Sequence, residues 1–149
     1  MEQLGRNGVV ADSVDIDLAV RLVSIRTFEV EMITTSYFRR EKLIPNPICI
    51  AQIKPDWSKS KDYKKLAPPW NLVDRYKKGL VSTQQYTQEF NFLVLSRLNP
   101  VEVFAEIKSI FGEDASLLCY EKPGDFCHRR IVAEWLEKGN GIVVPELKF

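Results

Sequence analysis

Ala115–Leu136 reads ASLLCYEKPGDFCHRRIVAEWL. Its opening, ASLLCYE, is a short apolar run of the length a buried strand prefers. Pro123-Gly124 then forces a tight turn, and from about Phe126 to Lys138 the residues Ile131, Val132 and Trp135 recur along one helical stripe. A strand that passes through a turn into a helix is half of a strand–crossover–strand unit, so the flanking segments are read against a parallel sheet.

Working outward, Gly139 and Gly141 end the helix and GIVVPELKF supplies a final strand. Upstream, TFEVEMITTSYF (27–38) alternates and is β-rich, giving the first strand, and PICIAQI (47–53) is a continuous apolar run that Pro47 can begin. KPDWSKSKDYKKLAPPWN has no period and reads as a long loop of the lid or binding kind. PWNLVDRYKKG fits a short helix with Pro69 near its first turn and Gly79 past its end. Ser82–Gln85, STQQ, is a capping box opening a long helix through Leu98; Phe90, Phe92, Leu93, Val94 and Leu95 wrap most of its circumference, which predicts a central, buried helix. Asn99-Pro100 opens another helix, Val101–Phe111, closed by Gly112, and near the N-terminus Asp12 or Ser13 caps a short helix reaching Ile25. The expectation is an N-terminal extension, 1–29, followed by a single α/β domain, 30–149, with a mainly parallel, Rossmann-like sheet of about four strands and flanking helices.

Composition agrees. A chain of 149 residues with 45% hydrophobic and 28% charged residues suits one globular domain. It contains no apolar run near the roughly 18 residues that span a bilayer, and its start lacks the layout of a secretory signal. Three cysteines without framework spacing suit a reducing compartment, so a cytoplasmic protein without membrane association is expected. The net charge of +1 conceals an asymmetry: Arg39–Lys78 holds eleven Lys/Arg against four Asp/Glu. With Tyr37, Phe38, Trp57, Tyr63, Trp70 and Tyr76 in or beside it, that segment combines phosphate attraction with flat rings for stacking, although a solvated charged loop with core aromatics has the same composition.

The chemistry-bearing residues gather around the Pro-Gly turn. Cys119 and Glu121 share a face at the C-terminal end of a strand, where ligands of open parallel sheets bind. Asp125 is placed to cap the helix, leaving Cys127 and the chain's single histidine, His128, in its first turn and pointing inward. Arg130 faces Glu134 as a surface pair, while Arg129 reaches over the helix end with donors suited to phosphate or carboxylate. That positive end, with His128 beside it, favours a Cys127 thiolate; Cys119, on an apolar strand, reads as nucleophile or inert packing. Zinc on Cys49, Cys119, Cys127 and His128 is disfavoured, because adjacent helical residues diverge by about 100° and no CxxC pair exists. A phosphatase-type Cys-five residues-Arg loop is excluded, since Asp125 stands where its arginine belongs. No metal and no cofactor are expected.

TSYF at Thr35–Phe38, LAPPW at Leu66–Trp70 and LLCYEKPGDFCHR at Leu117–Arg129, in this order, resemble the bacterial and phage family known as domain of unknown function 488, over roughly Val30 to the C-terminus. The resemblance implies a shared α/β fold and one pocket formed by Ser36, Tyr37, Cys119, Glu121, Cys127, His128 and Arg129. It implies no reaction. Arg39 and Trp70, from the basic aromatic segment, join the ligand-binding residues, with Cys127, Cys119 and Glu121 as candidate catalytic groups. A phosphate-bearing small molecule or nucleic acid is the expected partner. An enzyme, a non-catalytic binding module and a protein–protein adaptor or inhibitor all remain open.

Overall fold

The computed structural model describes residues 32–149, of which Met32–Leu147 form a compact unit. The helix expected before Ile25 and the start of the expected first strand lie outside the described residues. Four strands form one parallel sheet: β1 (Thr34–Tyr37), β2 (Pro47–Cys49), β3 (Lys61–Asp62) and β4 (Ser116–Cys119), in the spatial order β1-β4-β2-β3. Flanking them are α1 (Trp70–Lys77), α2 (Thr83–Leu93), α3 (Pro100–Phe111) and α4 (His128–Asn140). The chain is an α/β protein. Among the described residues no helix is long and apolar enough to cross a membrane.

The apolar strands are buried on both faces, as parallel strands covered by crossovers must be. Ile48 and Leu117 pack with Leu72, Phe90, Ile107, Val132 and Leu136 in the larger core cluster. Their neighbours Cys49 and Leu118 belong to a smaller one with Phe38 and Ile44, following the two-residue period of a pleated strand. Register aligns the strand ends: Tyr37 lies opposite Cys119, and Cys49 opposite Leu118. Side chains just beyond those residues therefore open at one edge.

Local signals placed most helix ends. Ser82 accepts from the Gln85 amide while Gln85 Oε1 accepts from the Ser82 amide, completing the capping box, and Asn99 Oδ1 accepts from Val101 and Glu102. Four expectations need correction. The helix begun at Ser82 stops at Leu93 and gives way to a 3-10 turn, Leu95–Arg97, so its apolar run does not continue around one cylinder. Phe92 is 70% exposed, and α2 buries only Tyr86 and Phe90; it is a flanking helix, not a central one.

The expected loop between β2 and α1 contains β3 and a 3-10 turn, Lys64–Leu66, and is pinned from within. Buried Glu41 accepts from Ser58 Oγ (2.5 Å) and from the Lys59 amide (2.8 Å), which ties the middle of this segment to the turn after β1. Gly139 lies inside α4 and ends nothing, whereas Gly141, at φ +64°, takes the left-handed cap. Finally, the expected last strand reduces to one bridge, Thr35 with Glu146. The donors before it are spent on α4: Ile142 N–H bonds to the Glu137 carbonyl, Val144 N–H to the Glu137 carboxylate, and Pro145 has none.

Candidate functional site

A cleft of about 790 Å3 opens at the C-terminal edge of the sheet. Its floor is built where β4 runs into α4, from Cys119, Glu121, Cys127 and His128; one wall follows β2, and the other comes from α1 and the start of α2. The walls are aromatic. Tyr76, Tyr86 and Phe126 form a mutually packed trio with centroids 5.3–5.4 Å apart, and Trp70 stands half exposed near the rim with Lys77 5.7 Å from its ring.

Cys127, not Asp125, is the N-cap of α4: its backbone is extended (φ −152°, ψ 142°) and no side chain caps the first amides. The thiol thus sits at the positive end of a 13-residue helix. His128 is buried, and its Nε2 lies 2.8 Å from the Ile50 carbonyl. A carbonyl only accepts, so Nε2 carries a hydrogen and, in the neutral ring, Nδ1 is the acceptor. Nδ1 faces Cys119 Sγ at 3.2 Å, and Glu121 Oε1 approaches the same sulfur at 3.8 Å. The Phe90 ring packs against the imidazole in a T-shaped arrangement, with centroids 5.4 Å apart.

Burial pushes the Cys119 thiol well above its ordinary value, and Cys127 beside it adds to the rise. Burial also opposes ionisation of Cys127, but the Cys119 and His128 side chains and the Arg129 charge outweigh it, leaving this thiol well below the ordinary range. Of the two thiols, Cys127 is therefore the one that ionises more readily. Glu121 is raised to about 7 by burial and by the neighbouring Cys127. The floor thus combines a stabilised thiolate, a hydrogen-bonded thiol–imidazole pair and a carboxyl group that exchanges protons near neutrality, the inventory of covalent catalysis with general acid–base assistance.

Of the residues expected in the site, Cys119, Glu121, Cys127, His128 and Trp70 line this cleft; Ser36, Tyr37, Arg39 and Arg129 do not. Ser36 is fully buried in β1, and its Oγ has no hydrogen-bond partner. Tyr37 is paired in register with Cys119 but packs under Arg129, whose guanidinium is 6.0 Å from its ring; Arg39 is exposed on the 3-10 turn Phe38–Leu43. Arg129 is 1% exposed and gives Nε and Nη2 to the Glu146 carboxylate at 3.0 and 2.9 Å. It is a buried ion pair beneath the site and acts on Cys127 through its charge, so the expected anion clamp is corrected. Arg130 donates to Thr35 Oγ1 and the Val144 carbonyl instead of facing Glu134.

The objection to metal binding changes as well. Because Cys127 precedes the helix, it does not diverge from His128 as two helical neighbours would, and the ligand atoms of Cys119, Cys127 and His128 all lie within 4.8 Å of one another. Cys49 stands outside that group. Much of the basic segment is occupied locally: Lys54 bonds to the Ser60 carbonyl, Lys64 to the Ala51 and Gln52 carbonyls, Lys65 to Glu106 and Arg75 to Glu89. The Ile50 carbonyl, Tyr86 and Phe126 were not singled out in the sequence. A backbone acceptor has no sequence signature, and the two rings lie in an ordinary apolar pattern.

Comparison with known families gives one match: residues 51–140, more than half of the chain, fit the profile of DUF488-N3a, described as the active DUF488-N3 subclade. The matched span contains every residue that lines the cleft and excludes Ser36, Tyr37, Arg39 and Glu146. No curated protein and no solved structure matches the chain.

Proposed function

The chain belongs to the DUF488-N3a family, and from that premise we propose that it is an enzyme acting on a phosphate-bearing ligand, most simply a nucleotide, through a Cys127 thiolate. The observation that carries this reading is the cleft floor: Cys127 at the uncapped start of α4, beside a Cys119–His128 pair held at 3.2 Å whose ring is oriented by the Ile50 carbonyl at 2.8 Å. A nucleobase stacks against the aromatic wall, and the phosphate lies toward Lys77 and the Ser82–Thr83 start of α2, where cationic and helix-dipole attraction coincide. Cys127 attacks an electrophilic atom of the ligand, forming a bond to sulfur as the leaving group departs with the proton of Glu121. The Glu121 carboxylate then takes a proton from water, whose oxygen displaces the sulfur and restores the thiolate. Cys119 and His128 keep their shared proton and hold the neighbouring thiolate in place.

A panel of nucleoside mono-, di- and triphosphates tests this. At least one is expected to slow alkylation of Cys127, quench Trp70 and be turned over by the wild type but not by Cys127→Ser. Binding without turnover would leave a binding module, and absence of protection by any nucleotide would overturn the ligand class.

A further inference from the structure

We propose that Cys119 Sγ, Cys127 Sγ and His128 Nδ1 form a site for a soft divalent cation such as Zn2+, open to the cleft at its fourth position. All three side chains are buried, and their ligand atoms fall within 4.8 Å of one another. Zinc bonds of about 2.3 Å to sulfur and about 2.0 Å to nitrogen place tetrahedral ligands roughly 3.5–3.8 Å apart. The 3.2 Å between Cys119 Sγ and His128 Nδ1 is already close to that edge. Cys127 Sγ completes the group, within 4.8 Å of both other ligand atoms.

The outer shell suits a metal too. A metal-bound histidine usually donates its second N–H to a carbonyl or carboxylate, and His128 Nε2 meets the Ile50 carbonyl at 2.8 Å. That bond directs Nδ1 at the cysteines. Glu121, with Oε1 3.8 Å from Cys119 Sγ, stands where it can take the fourth position or bind a water that does. Two thiolates and a neutral imidazole balance the charge of the ion, so binding displaces the thiol proton that remains and strengthens as pH rises. Two sulfurs and one nitrogen favour zinc over magnesium or calcium, which take oxygen ligands.

This inference uses the same cluster as the proposed nucleophile without depending on it, since the loaded and thiolate forms are alternative states. Co2+ is the probe, titrated into the reduced full chain after chelation. The expected result is a thiolate-to-cobalt charge-transfer band that saturates at one ion per chain, with visible bands of tetrahedral intensity. Cobalt should nearly abolish alkylation of Cys119 and Cys127 while Cys49 keeps its rate, a readout on the wild type that requires no variant to fold. Cys49→Ser should retain the band, and Cys119→Ser and Cys127→Ser should each lose it. X-ray absorption of the zinc form should show two sulfurs at about 2.3 Å. No charge-transfer band, a band that survives loss of both site cysteines, or an all-oxygen shell would overturn the site. Fast alkylation of Cys127 in chelated protein stands or falls separately, so failure of the metal site is distinguishable from failure of the nucleophile.

Discussion

Glu121 shows how one side chain ties the site to the fold. Its carboxyl is raised to about 7 by burial and by Cys127, above the value near 4.5 expected when the chain is unfolded. Folding therefore favours the protonated acid: the stabilisation is fully present below about pH 4.5 and is lost as pH rises through 7. Glu121→Gln should remove this dependence, so that the stability gap between variant and wild type in urea changes by about 1–2 kcal/mol between pH 5 and pH 8, after allowing for the solvent that reaches this half-buried group. Its turnover should fall while nucleotide binding persists. Arg129 teaches the converse. Its position on the helix was readable, but its partner was not, because Glu146 arrives from a tail 17 residues away. Glu146→Ala leaves a buried guanidinium without its carboxylate and should cost about 3–5 kcal/mol in denaturant unfolding, a loss too large for a surface pair. Cys119, Glu121, Cys127 and His128 were legible together because the Pro-Gly turn brings both sides of the strand–helix junction within reach. The opposing Ile50 carbonyl belongs to tertiary structure alone.

At the scale of elements, cap and turn chemistry carried most of the reading. Short-range signals such as the capping box at Ser82 and Asn99 before Pro100 hold regardless of what packs above them. Where a neighbour decides, local signals fall short: α2 ends early, and the tail contributes one bridge because α4 takes its donors. Gly139 is the sharpest case, since its sequence pattern matches a terminator but its role is close packing. A Cβ there would lie 2.3 Å and 2.5 Å from the ring carbons of Pro100, at the start of α3. Gly139→Ala should push α4 from α3 and cost about 1–3 kcal/mol, visible as a lower urea midpoint. Gly141→Ala meets nothing within 4 Å but must adopt φ +64°, so its cost of about 1 kcal/mol comes from backbone strain and should be largely relieved by Asn. Equal losses in Gly141→Ala and Gly141→Asn would contradict that assignment.

For the whole molecule, β1, β2 and β4 were readable from their sequence pattern, whereas β3 is the polar pair Lys61–Asp62 and carries no such signal; the cleft follows from the parallel topology at the edge where β4 meets α4. The charge asymmetry is a weaker guide, because folding pairs Lys65 with Glu106 and Arg75 with Glu89. Ligand binding should accordingly show a shallow salt dependence, with a slope equivalent to about one or two phosphates; a slope of five or more would point to a nucleic-acid polymer. The fold makes Cys127 the more acidic of the two cleft thiols, and peptide-resolved alkylation of the chelated protein across pH reads that difference. Cys127 should react first, with a midpoint well below the free-thiol value of about 8.5, and Cys119 should lag behind it. A Cys127 midpoint at or above that value, or a Cys119 that reacts before it, would show that Cys127 is not the activated thiol.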